Sequence, residues 1–205
     1  IIGFCELLEE ESKLKKQFTK KHHRYITNIL MSSRSLRDMI SELLDLAKIE
    51  AGRFEVDVRK CNLIDLLSGL VEIMRPQAES KDIEVNILTS LEVYNLETDN
   101  AKLQQILHNI FANAIKFSPE GGVISVGVRP YDISEDISGV RVSIRDYGPG
   151  IPADMLEVIF EKFRQVESGH TRSYGGTGLG LAICRELADM INVKVSVESV
   201  QGRGS

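Results

Sequence analysis

A glycine-rich loop that leads directly into a predicted helix is the most constraining feature of this chain. The residues from Gly175 to Leu181 read GGTGLGL. Glycine reaches positive φ without strain and has no Cβ, so the backbone N–H groups of such a loop can approach a ligand closely. Because the loop opens a helix, the positive end of the helix dipole points toward the same ligand. The pattern predicts a phosphate-binding loop, and a flexible hinge is the alternative.

A second glycine turn lies upstream, where the residues from Asp146 to Gly150 read DYGPG. It follows a predicted strand, so the carboxylate of Asp146 is held at a strand end. A carboxylate in that position can accept a hydrogen bond from an exocyclic amine such as that of adenine. The alternative is an Asx-type turn, which is common for Asp before Gly. Two glycine turns in this order favour a nucleotide site more than either turn alone.

A predicted helix with Asp99 as its N-cap runs to about Phe117 and precedes both turns. Its residues Asn109, Asn113 and Lys116 are spaced i, i+4 and i+7, which places them within about 60° of arc. The side that faces the core consists of Leu103, Leu107, Ile110, Phe111 and Ala114. Amide oxygens suit Mg²⁺ and an ammonium suits phosphate, so the stripe is suited to a metal–phosphate unit. An ordinary polar helix face is the alternative, which the two glycine turns disfavour.

The composition of the chain excludes several classes of protein. The 205-residue chain is 42% hydrophobic and 27% charged, as in ordinary globular proteins. Its net charge of -5 argues against a general nucleic-acid binder. The cysteines Cys5, Cys61 and Cys184 form no CxxC pair, which favours a reduced, cytoplasmic compartment. No apolar run approaches the roughly 20 residues that cross a bilayer, so we expect membrane attachment only through segments outside this chain.

The first 50 residues contain no proline, and their apolar spacing predicts helix. A heptad-like seam with one polar interruption is formed by Ile26, Ile29, Ser33, Leu36, Ile40, Leu43 and Ala47. The charged stretch from Glu10 to Gln17 predicts a turn between two helices, and one long solvated helix is the alternative. A single seam cannot bury itself, so we expect residues 1–50 to form a homodimer.

After Gly52, where a helix C-terminus favours glycine, the pattern changes to mixed α/β. Strands are predicted at 54–58, 82–88, 122–129, 140–145 and 193–198. Helices are predicted at 62–80, 99–117, 152–160 and 178–191, with a polar loop at 131–139. The predicted domains are a helical hairpin at 1–51 and an α/β domain at 52–205. We also expect both ends of the chain to be cut, with the final strand of the second domain incomplete.

In this combination the motifs resemble the catalytic core of sensor histidine kinases, which share the Bergerat ATP-binding fold with a wider family. The corresponding motifs are the N box (Asn109–Phe117), the first G box (Asp146–Gly150), the F box (Phe160–Phe163), the second G box (Gly176–Leu181) and the last glycine-rich turn (Ser199–Ser205). Residues 1–50 resemble the dimerisation and phosphoacceptor hairpin. The resemblance implies an α+β fold, with a dimeric four-helix bundle followed by an α/β sandwich whose mixed sheet carries helices on one face.

The resemblance also implies roles around ATP and Mg²⁺. Asn113 would ligate Mg²⁺, Lys116 would contact phosphate, Asn109 would line the same site, and Asp146 would recognise adenine. The remaining ATP-binding residues would be Gly148, Gly150, Arg172, Gly176, Thr177, Gly178, Leu179 and Gly180. The span 150–175 would form a mobile ATP lid, and a permanently disordered loop is the alternative.

The segment after the F box departs from the family pattern. Many members carry an arginine where this chain has Gln165. Arg164 or Arg172 would then supply the phosphate contact from the lid, and the sequence does not choose between them.

Residue 109 bears on the choice between hydrolysis and phosphoryl transfer. Relatives that hydrolyse ATP, such as type II topoisomerases and mismatch-repair ATPases, typically carry a glutamate four residues before the Mg²⁺-binding asparagine. Here that position is Asn109, an amide that cannot serve as the base that activates water. The resemblance therefore implies a kinase that passes the γ-phosphate to a protein nucleophile.

The family's phosphoacceptor histidine has a downstream flank that resembles Ile1–Phe4, so we expect this histidine just upstream of residue 1. His22 and His23 are the alternatives within the chain. They lie near the predicted hairpin turn in a basic stretch, where adjacent histidines are usually solvated. We therefore expect neither to be the acceptor.

The implied function is ATP-dependent autophosphorylation of a hairpin histidine, followed by transfer of the phosphate to an aspartate of a response-regulator receiver domain. One alternative is an ATPase or serine kinase of the same fold, which Asn109 and the hairpin disfavour. Another is a non-catalytic ATP-sensing module, which Asn113, Lys116 and Asp146 disfavour. Acid-labile label on the protein after incubation with labelled ATP would distinguish the histidine kinase from both.

Overall fold

The computed structural model describes residues 2–15, 20–52, 55–89, 94–134, 137–164 and 177–205. The chain divides into two compact units, Ile1–Gly52 and Arg53–Ser205. The first unit is helical, and the second combines helices with strands. The predicted α+β class is confirmed.

The first unit is a hairpin of two helices, α1 (Ile2–Lys15) and α2 (Lys20–Glu50). Cys5 of α1 packs with Ile26 and Leu30 of α2 in a small buried cluster. These apolar contacts are local to one end of α2, which is much longer than α1. The predicted helical hairpin is confirmed.

The sequence predicts the C-terminal end of α2 more accurately than the turn between α1 and α2. The predicted turn at 10–17 begins too early, because α1 stays helical to Lys15, and the rest of that turn lies outside the described residues. The end of α2 is as predicted: Gly52 has a φ of +62°, and its N–H donates to the carbonyl oxygen of Ile49 over 2.9 Å. Such a φ strains residues with a Cβ, which is why glycine suits this position.

The second unit contains two sheets. Strands β1 (Arg59–Asn62) and β3 (Asn95–Thr98) form an antiparallel pair. The larger sheet has the strand order β2-β4-β5 and consists of β2 (Glu84–Thr89), β4 (Val123–Ser134) and β5 (Ile137–Arg145). Strand β2 is parallel to β4, and β4 is antiparallel to β5, so the predicted mixed sheet is confirmed.

Three helices follow the strands of this unit or lie between them: α3 (Leu63–Glu79), α4 (Asn100–Phe117) and α5 (Gly180–Met190). Helices α3 and α4 pack with the larger sheet, and α5 packs against α4. The central strand β4 turns one side toward α3 and α4, where its fully buried residues are Ile124, Val126 and Val128. Because successive side chains of a strand point to opposite faces, the residues between them lie on the other face. Among the described helices, none is both long enough and apolar enough to cross a membrane.

The predicted strand at 54–58 is wrong over its described residues, 55–58, and the first strand begins at Arg59. The backbone N–H of Asp57 donates to the carboxylate of Asp99 over 2.9 Å. The carbonyl oxygen of Glu55 accepts from the ammonium of Lys102 over 2.7 Å. The N-cap residue and a first-turn side chain of α4 therefore bind the backbone groups that a strand would have paired with a neighbour.

The predicted strand at 193–198 is also wrong. Its residues alternate between half-buried and exposed, as a strand on a sheet surface does. A strand also needs a hydrogen-bonded neighbour, and the described residues provide none for this segment. The backbone that follows this segment contains an isolated antiparallel bridge, between Val200 and Gly204, rather than a strand.

The polar loop predicted at 131–139 is largely strand, because β4 and β5 extend into it. The guanidinium of Arg141 lies 4.2 Å from the ring centre of Tyr131, a cross-strand contact that supports the longer hairpin. The helix predicted at 152–160 consists instead of two short 3-10 turns, Ala153–Met155 and Val158–Phe160. Short i→i+3 turns are typical of connecting segments that do not extend into a full helix.

Candidate functional site

Helix α4 carries the predicted stripe of two amides and a lysine. Its core side includes Leu107 and Phe111, which are 5% and 1% exposed. Asn109, Asn113 and Lys116 are half-buried at the margin of this core. The stripe therefore lies on a helix whose orientation is set by close packing of its apolar side.

The start of α4 is held by a buried ion pair. Asp99 is the N-cap: its carboxylate accepts from the backbone N–H of Lys102 over 3.1 Å and from the Lys102 ammonium over 2.6 Å. Both residues are less than 10% exposed. Burial alone would raise the pKa of Asp99, but the hydrogen bonds from Lys102 and from the N–H of Asp57 lower it to about 2. The predicted N-cap is confirmed, whereas its pairing with Lys102 was not predicted.

The end of α4 lies against the first glycine turn. A Cβ at Gly148 would lie 2.5 Å from the carbonyl oxygen of Phe117, so only glycine allows this approach. Lys116 precedes that contact, with its ammonium 4.9 Å from the ring centre of Phe117. The structure thus brings Lys116 and Gly148, two of the predicted site residues, to the same end of one helix.

Asp146 is the buried carboxylate of the first glycine turn, and it is 9% exposed. Its Oδ1 accepts from the backbone N–H of Gly148 over 2.8 Å. Burial raises the pKa of the Asp146 carboxyl, while the backbone N–H groups of Gly148 and Ser205 act in the opposite direction. The Asx turn considered from the sequence is therefore present, and it fixes the carboxylate rather than excluding a ligand role.

The last glycine-rich turn packs against the first one. Gly204 has a φ of +94°, and a Cβ there would lie 2.1 Å from the carbonyl oxygen of Asp146. Gly150 has a φ of +66°, and a Cβ there would lie 2.2 Å from the carbonyl oxygen of Val200. The backbone N–H of Asp146 also donates to the carbonyl oxygen of Ser205 over 2.9 Å. The two turns form one backbone assembly around the predicted adenine-binding residue.

Sequence reasoning missed the role of Ser199 in this assembly. Its hydroxyl oxygen accepts from the backbone N–H of Ile151 over 2.8 Å and donates to the carbonyl oxygen of Gly204 over 2.8 Å. A serine can do both because its hydroxyl is a donor and an acceptor. The position of Ser199 at the start of a glycine-rich turn was the available sequence signal.

The second glycine loop is described from Thr177 onward. The hydroxyl of Thr177 accepts from the N–H of Leu179 over 3.1 Å, and the side chain of Leu179 is fully buried. Gly178 has a φ of +72°, and its carbonyl oxygen accepts from the N–H of Phe163 over 2.9 Å. The loop is thereby fixed between the core and the F-box segment, directly before the N-terminus of α5.

One side-chain contact joins α4 to this loop. The amide nitrogen of Asn109 donates to the carbonyl oxygen of Gly180 over 3.4 Å. Gly180 is the first residue of α5, so the contact links the predicted Mg²⁺–phosphate stripe to the helix N-terminus predicted to face phosphate. Ten of the predicted ATP-binding residues lie in the described part of the chain: Asn109, Asn113, Lys116, Asp146, Gly148, Gly150, Thr177, Gly178, Leu179 and Gly180.

Two predicted site residues, Arg172 and Gly176, lie outside the described residues, as does most of the predicted lid. Arg164, one of the two candidates for a phosphate contact, is described and exposed, and its guanidinium donates to the carboxylate of Glu161 over 3.0 Å. His22 and His23 lie in the first turns of α2, close to the hairpin turn as predicted.

The donor set on α4 suits Mg²⁺ that arrives with a nucleotide. Mg²⁺ usually keeps several waters and takes one or two protein ligands together with substrate phosphates. The half-buried amide of Asn113 supplies one oxygen of the required kind. Among the described residues no group of three His, Cys, Asp or Glu side chains is placed to hold a metal by itself.

Two family models match the chain. The model of histidine kinase-, DNA gyrase B- and HSP90-like ATPases matches residues 98–205. The model of the His Kinase A (phospho-acceptor) domain matches residues 1–52. The first match includes every described residue of the candidate site, and the second coincides with the helical hairpin.

Curated relatives and solved structures agree with these matches. The chain is 37% identical to hybrid signal transduction histidine kinase L of Dictyostelium discoideum, over 100% of this chain and 12% of that protein. It is 34% identical to sensor protein GacS of Pseudomonas syringae pv. syringae, over 100% of this chain and 22% of that protein. The chain therefore spans only a small part of the length of these relatives.

Among solved structures, full-length ShkA in complex with AMPPNP is 30% identical, with a TM-score of 0.76 over 100% of this chain and 40% of that chain. ThkA in complex with response regulator protein TrrA is 25% identical, with a TM-score of 0.66 over 99% of this chain and 56% of that chain. The chain belongs to the sensor histidine kinases, and it contains the ATP-binding domain and the phospho-acceptor-type helical hairpin of that family.

Proposed function

We propose that this chain binds ATP with Mg²⁺ and that the γ-phosphate is transferred, with release of ADP, to a histidine of the hairpin domain expected just upstream of residue 1. The phosphate then passes to an aspartate on a response-regulator receiver domain. The proposal is carried by direct contacts between the predicted motifs. Around Asp146, the end of α4, the first glycine turn and the last glycine-rich turn meet. At Asn109, α4 contacts the second glycine loop. The family to which the chain belongs supports the same activity.

The adenine end of the nucleotide is assigned to Asp146. Its carboxylate is buried and oriented by the N–H of Gly148, so it can accept from an exocyclic amine with little reorganisation. Because burial raises its pKa, the ionised, accepting form is lost at a higher pH than for an exposed aspartate. Gly148 and Gly150 line this end by allowing the close backbone approaches described above.

The polyphosphate end is assigned to the second glycine loop and to α4. Gly178 and Gly180 lead into the N-terminus of α5, where backbone N–H groups and the helix dipole favour anions. Lys116 adds a positive charge, and Arg172 and Gly176 complete the proposed phosphate contacts. Mg²⁺ bound through the Asn113 amide would neutralise charge on the phosphates during transfer.

Asn109 supports phosphoryl transfer to protein over hydrolysis. Its amide cannot act as a general base. Its nitrogen donates to the carbonyl oxygen of Gly180, so the amide has a positioning contact with the second glycine loop. The γ-phosphate is therefore kept for a protein nucleophile.

The hairpin is the proposed dimerisation element, within proposed domain bounds of 1–51 and 52–205. Most of the predicted seam is exposed in the single chain: Leu36, Ile40 and Leu43 of α2 are 58%, 50% and 41% exposed. A stripe of large apolar side chains on an α-helix is stabilised when another helix covers it. A second copy of the hairpin would cover this stripe and complete a four-helix bundle.

The proposed partner in phosphotransfer is a response-regulator receiver domain. The complex of ThkA with response regulator protein TrrA supports this class of partner. We propose that membrane attachment, where present, comes from segments outside residues 1–205, and that nucleic acid is not a ligand. The cytoplasmic location stays a prediction of the sequence.

The proposal is tested with a longer form of the protein that adds about 11 upstream residues, or three helical turns. This protein is incubated with γ-labelled ATP and Mg²⁺, and both protein-bound label and free phosphate are counted. Acid-labile bound label with little free phosphate is expected for a histidine kinase. Free phosphate without bound label would indicate an ATPase, and tight ATP binding with neither would indicate a sensing module.

Two variants sharpen this test. Replacement of the upstream histidine by glutamine should remove the bound label and leave ATP affinity unchanged. Asn86→Ala, which changes a half-buried asparagine on β2 away from the site, is the control and should label like the wild-type protein. Persistent label in the glutamine variant would place the acceptor elsewhere, and His22 and His23 would then be replaced in turn.

A further inference from the structure

Lys81 lies in the turn between α3 and β2, outside the residues assigned to the nucleotide. Its ammonium donates to the carbonyl oxygens of Ile115 over 2.9 Å, Lys116 over 2.9 Å and Ser118 over 2.8 Å. An ammonium has three N–H donors, so each can be directed at one of these carbonyls. A single side chain thus binds the backbone at the end of α4 at three points.

The backbone of Lys81 is itself held by a Schellman-type turn at the end of α3. The N–H of Ile83 donates to the carbonyl oxygen of Ala78 over 2.9 Å, and the N–H of Asp82 donates to that of Glu79 over 3.0 Å. Asp82 has a φ of +57°, as this turn requires. Ile83 is 6% exposed and anchors the turn in the core. The Lys81 side chain therefore extends from a fixed point.

The end of α4 needs such a partner. No N–H group of the helix donates to its last carbonyl oxygens, and these oxygens carry the negative end of the helix dipole. Lys81 supplies both hydrogen bonds and a positive charge at this end. Lys116, the proposed phosphate contact, lies in the same turn, and its own carbonyl oxygen is one of the three that Lys81 binds.

We propose that Lys81 is a positioning residue for ATP binding, which caps α4 and thereby holds Lys116 in the orientation that contacts phosphate. The inference rests on the proposed function, since it concerns the same nucleotide site. Lys81 acts on the nucleotide through the backbone of α4, so its removal should disturb the last turn of the helix and the phosphate contact together.

The test compares wild-type protein, Lys81→Met and the control Lys194→Met, which changes an exposed lysine of the same unit. MgATP affinity is measured by calorimetry, and amide hydrogen exchange is followed at Lys116 and Ser118. Loss of charge-assisted hydrogen bonds predicts about tenfold weaker ATP binding for Lys81→Met, with faster exchange at both amides. Lys194→Met should match the wild-type protein in both measurements.

A double-mutant cycle with Lys116→Met separates positioning from general destabilisation. If Lys81 acts through Lys116, the effect of Lys81→Met on affinity should shrink from about tenfold to less than about threefold in the Lys116→Met background. A tenfold effect that persists there would overturn the proposal. So would wild-type affinity of Lys81→Met, or weaker binding without faster exchange at the end of α4.

Failure of the proposed function gives a different result, because wild-type protein would then not bind ATP. The exchange measurement would still report on the α4 cap in that case. If Lys81→Met does not fold, Lys81→Gln replaces it throughout the cycle, since its amide keeps a donor but loses the charge and the reach of lysine. Wild-type affinity and exchange in Lys81→Gln would overturn the proposal.

Discussion

The amide nitrogen of Asn109 and the carbonyl oxygen of Gly180 are joined by a 3.4 Å hydrogen bond, which connects the middle of α4 to the first residue of α5. The contact is between residues far apart in sequence, and it orients the two helices that border the proposed phosphate site. A donor is required at position 109, because the partner is a carbonyl oxygen. An amide meets this need, and a carboxylate does not.

Asn109→Asp should therefore weaken ATP binding. The substitution keeps the size of the side chain but removes the donor and adds a negative charge beside the polyphosphate. We expect affinity to fall by about tenfold or more, measured by calorimetry with MgATP. Asn86→Asp on β2 is the control and should bind ATP normally. Equal affinities of Asn109→Asp and wild-type protein would contradict the proposed location of the phosphates.

Asn113→Ala should abolish binding of MgATP without unfolding the protein. Asn113 is half-buried at the margin of the core, so its truncation leaves the packing of α4 largely intact. Affinity is measured by calorimetry with and without Mg²⁺, and folding by circular dichroism. An unchanged affinity in the presence of Mg²⁺ would show that this residue is not the metal ligand.

Gly204→Ala should destabilise the second unit more than Gly202→Ala. Both glycines have positive φ, so each alanine costs about 1–2 kcal/mol of backbone strain. A Cβ at Gly204 would also lie 2.1 Å from the carbonyl oxygen of Asp146, whereas no atom lies within 4 Å of a Cβ at Gly202 among the described residues. We expect about 3 kcal/mol or more for Gly204→Ala.

The measurement is the free energy of unfolding from urea titration, with ATP affinity as a second readout. Gly204→Ala should also weaken ATP binding, because the clash displaces the backbone of the adenine turn. Gly202→Ala should retain affinity. Equal losses of stability in the two variants would mean that the close contact with Asp146 contributes nothing beyond the strain of φ.

The ionisation of Asp99 should make the free energy of unfolding depend on pH. The pKa of Asp99 is lowered to about 2 in the folded protein. The ionised carboxylate therefore stabilises the folded state at any pH above the ordinary pKa of an aspartate. This stabilisation is lost as the pH falls toward about 2. The shift corresponds to about 2 kcal/mol at neutral pH. Asp99→Asn also leaves Lys102 buried without its carboxylate, so we expect a loss of about 3 kcal/mol at neutral pH.

The free energy of unfolding of Asp99→Asn and of wild-type protein should converge as the pH is lowered, because protonation then removes the same charge from the wild-type residue. Asp154→Asn, at an exposed aspartate, is the control and should parallel the wild-type protein throughout. A constant difference between Asp99→Asn and wild-type protein down to low pH would exclude the ion pair as the cause.

Local patterns in the sequence predicted the parts of this fold that local physics determines. Helix α4 follows from its N-cap Asp99 and from the 3.6-residue period of its apolar side chains. The positive φ of Gly52, Gly150 and Gly178 follows from the turns that these glycines occupy. The N box and glycine loops could be recognised because their chemistry depends on short, contiguous motifs.

Other features depend on partners that are distant in sequence, and local patterns do not reveal them. Residues 55–58 alternate like a strand, yet Asp99 and Lys102, at the start of α4, bind their backbone. Residues 193–198 also alternate, but no strand pairs with them in the described residues. The contacts that Ser199 makes with Ile151 and that Lys81 makes with the end of α4 are of the same kind, because each joins residues that are far apart in sequence.

The contact of Gly204 with the carbonyl oxygen of Asp146 has a consequence for synthesis of the protein on the ribosome. Asp146 and its turn emerge well before the residues that complete their backbone assembly. At about 5–20 residues per second, the turn waits several seconds for its last partner. A nascent chain that has not yet released residues 199–205 would therefore bind ATP poorly, and nucleotide would be captured only after the last glycine-rich turn has packed against the Asp146 turn.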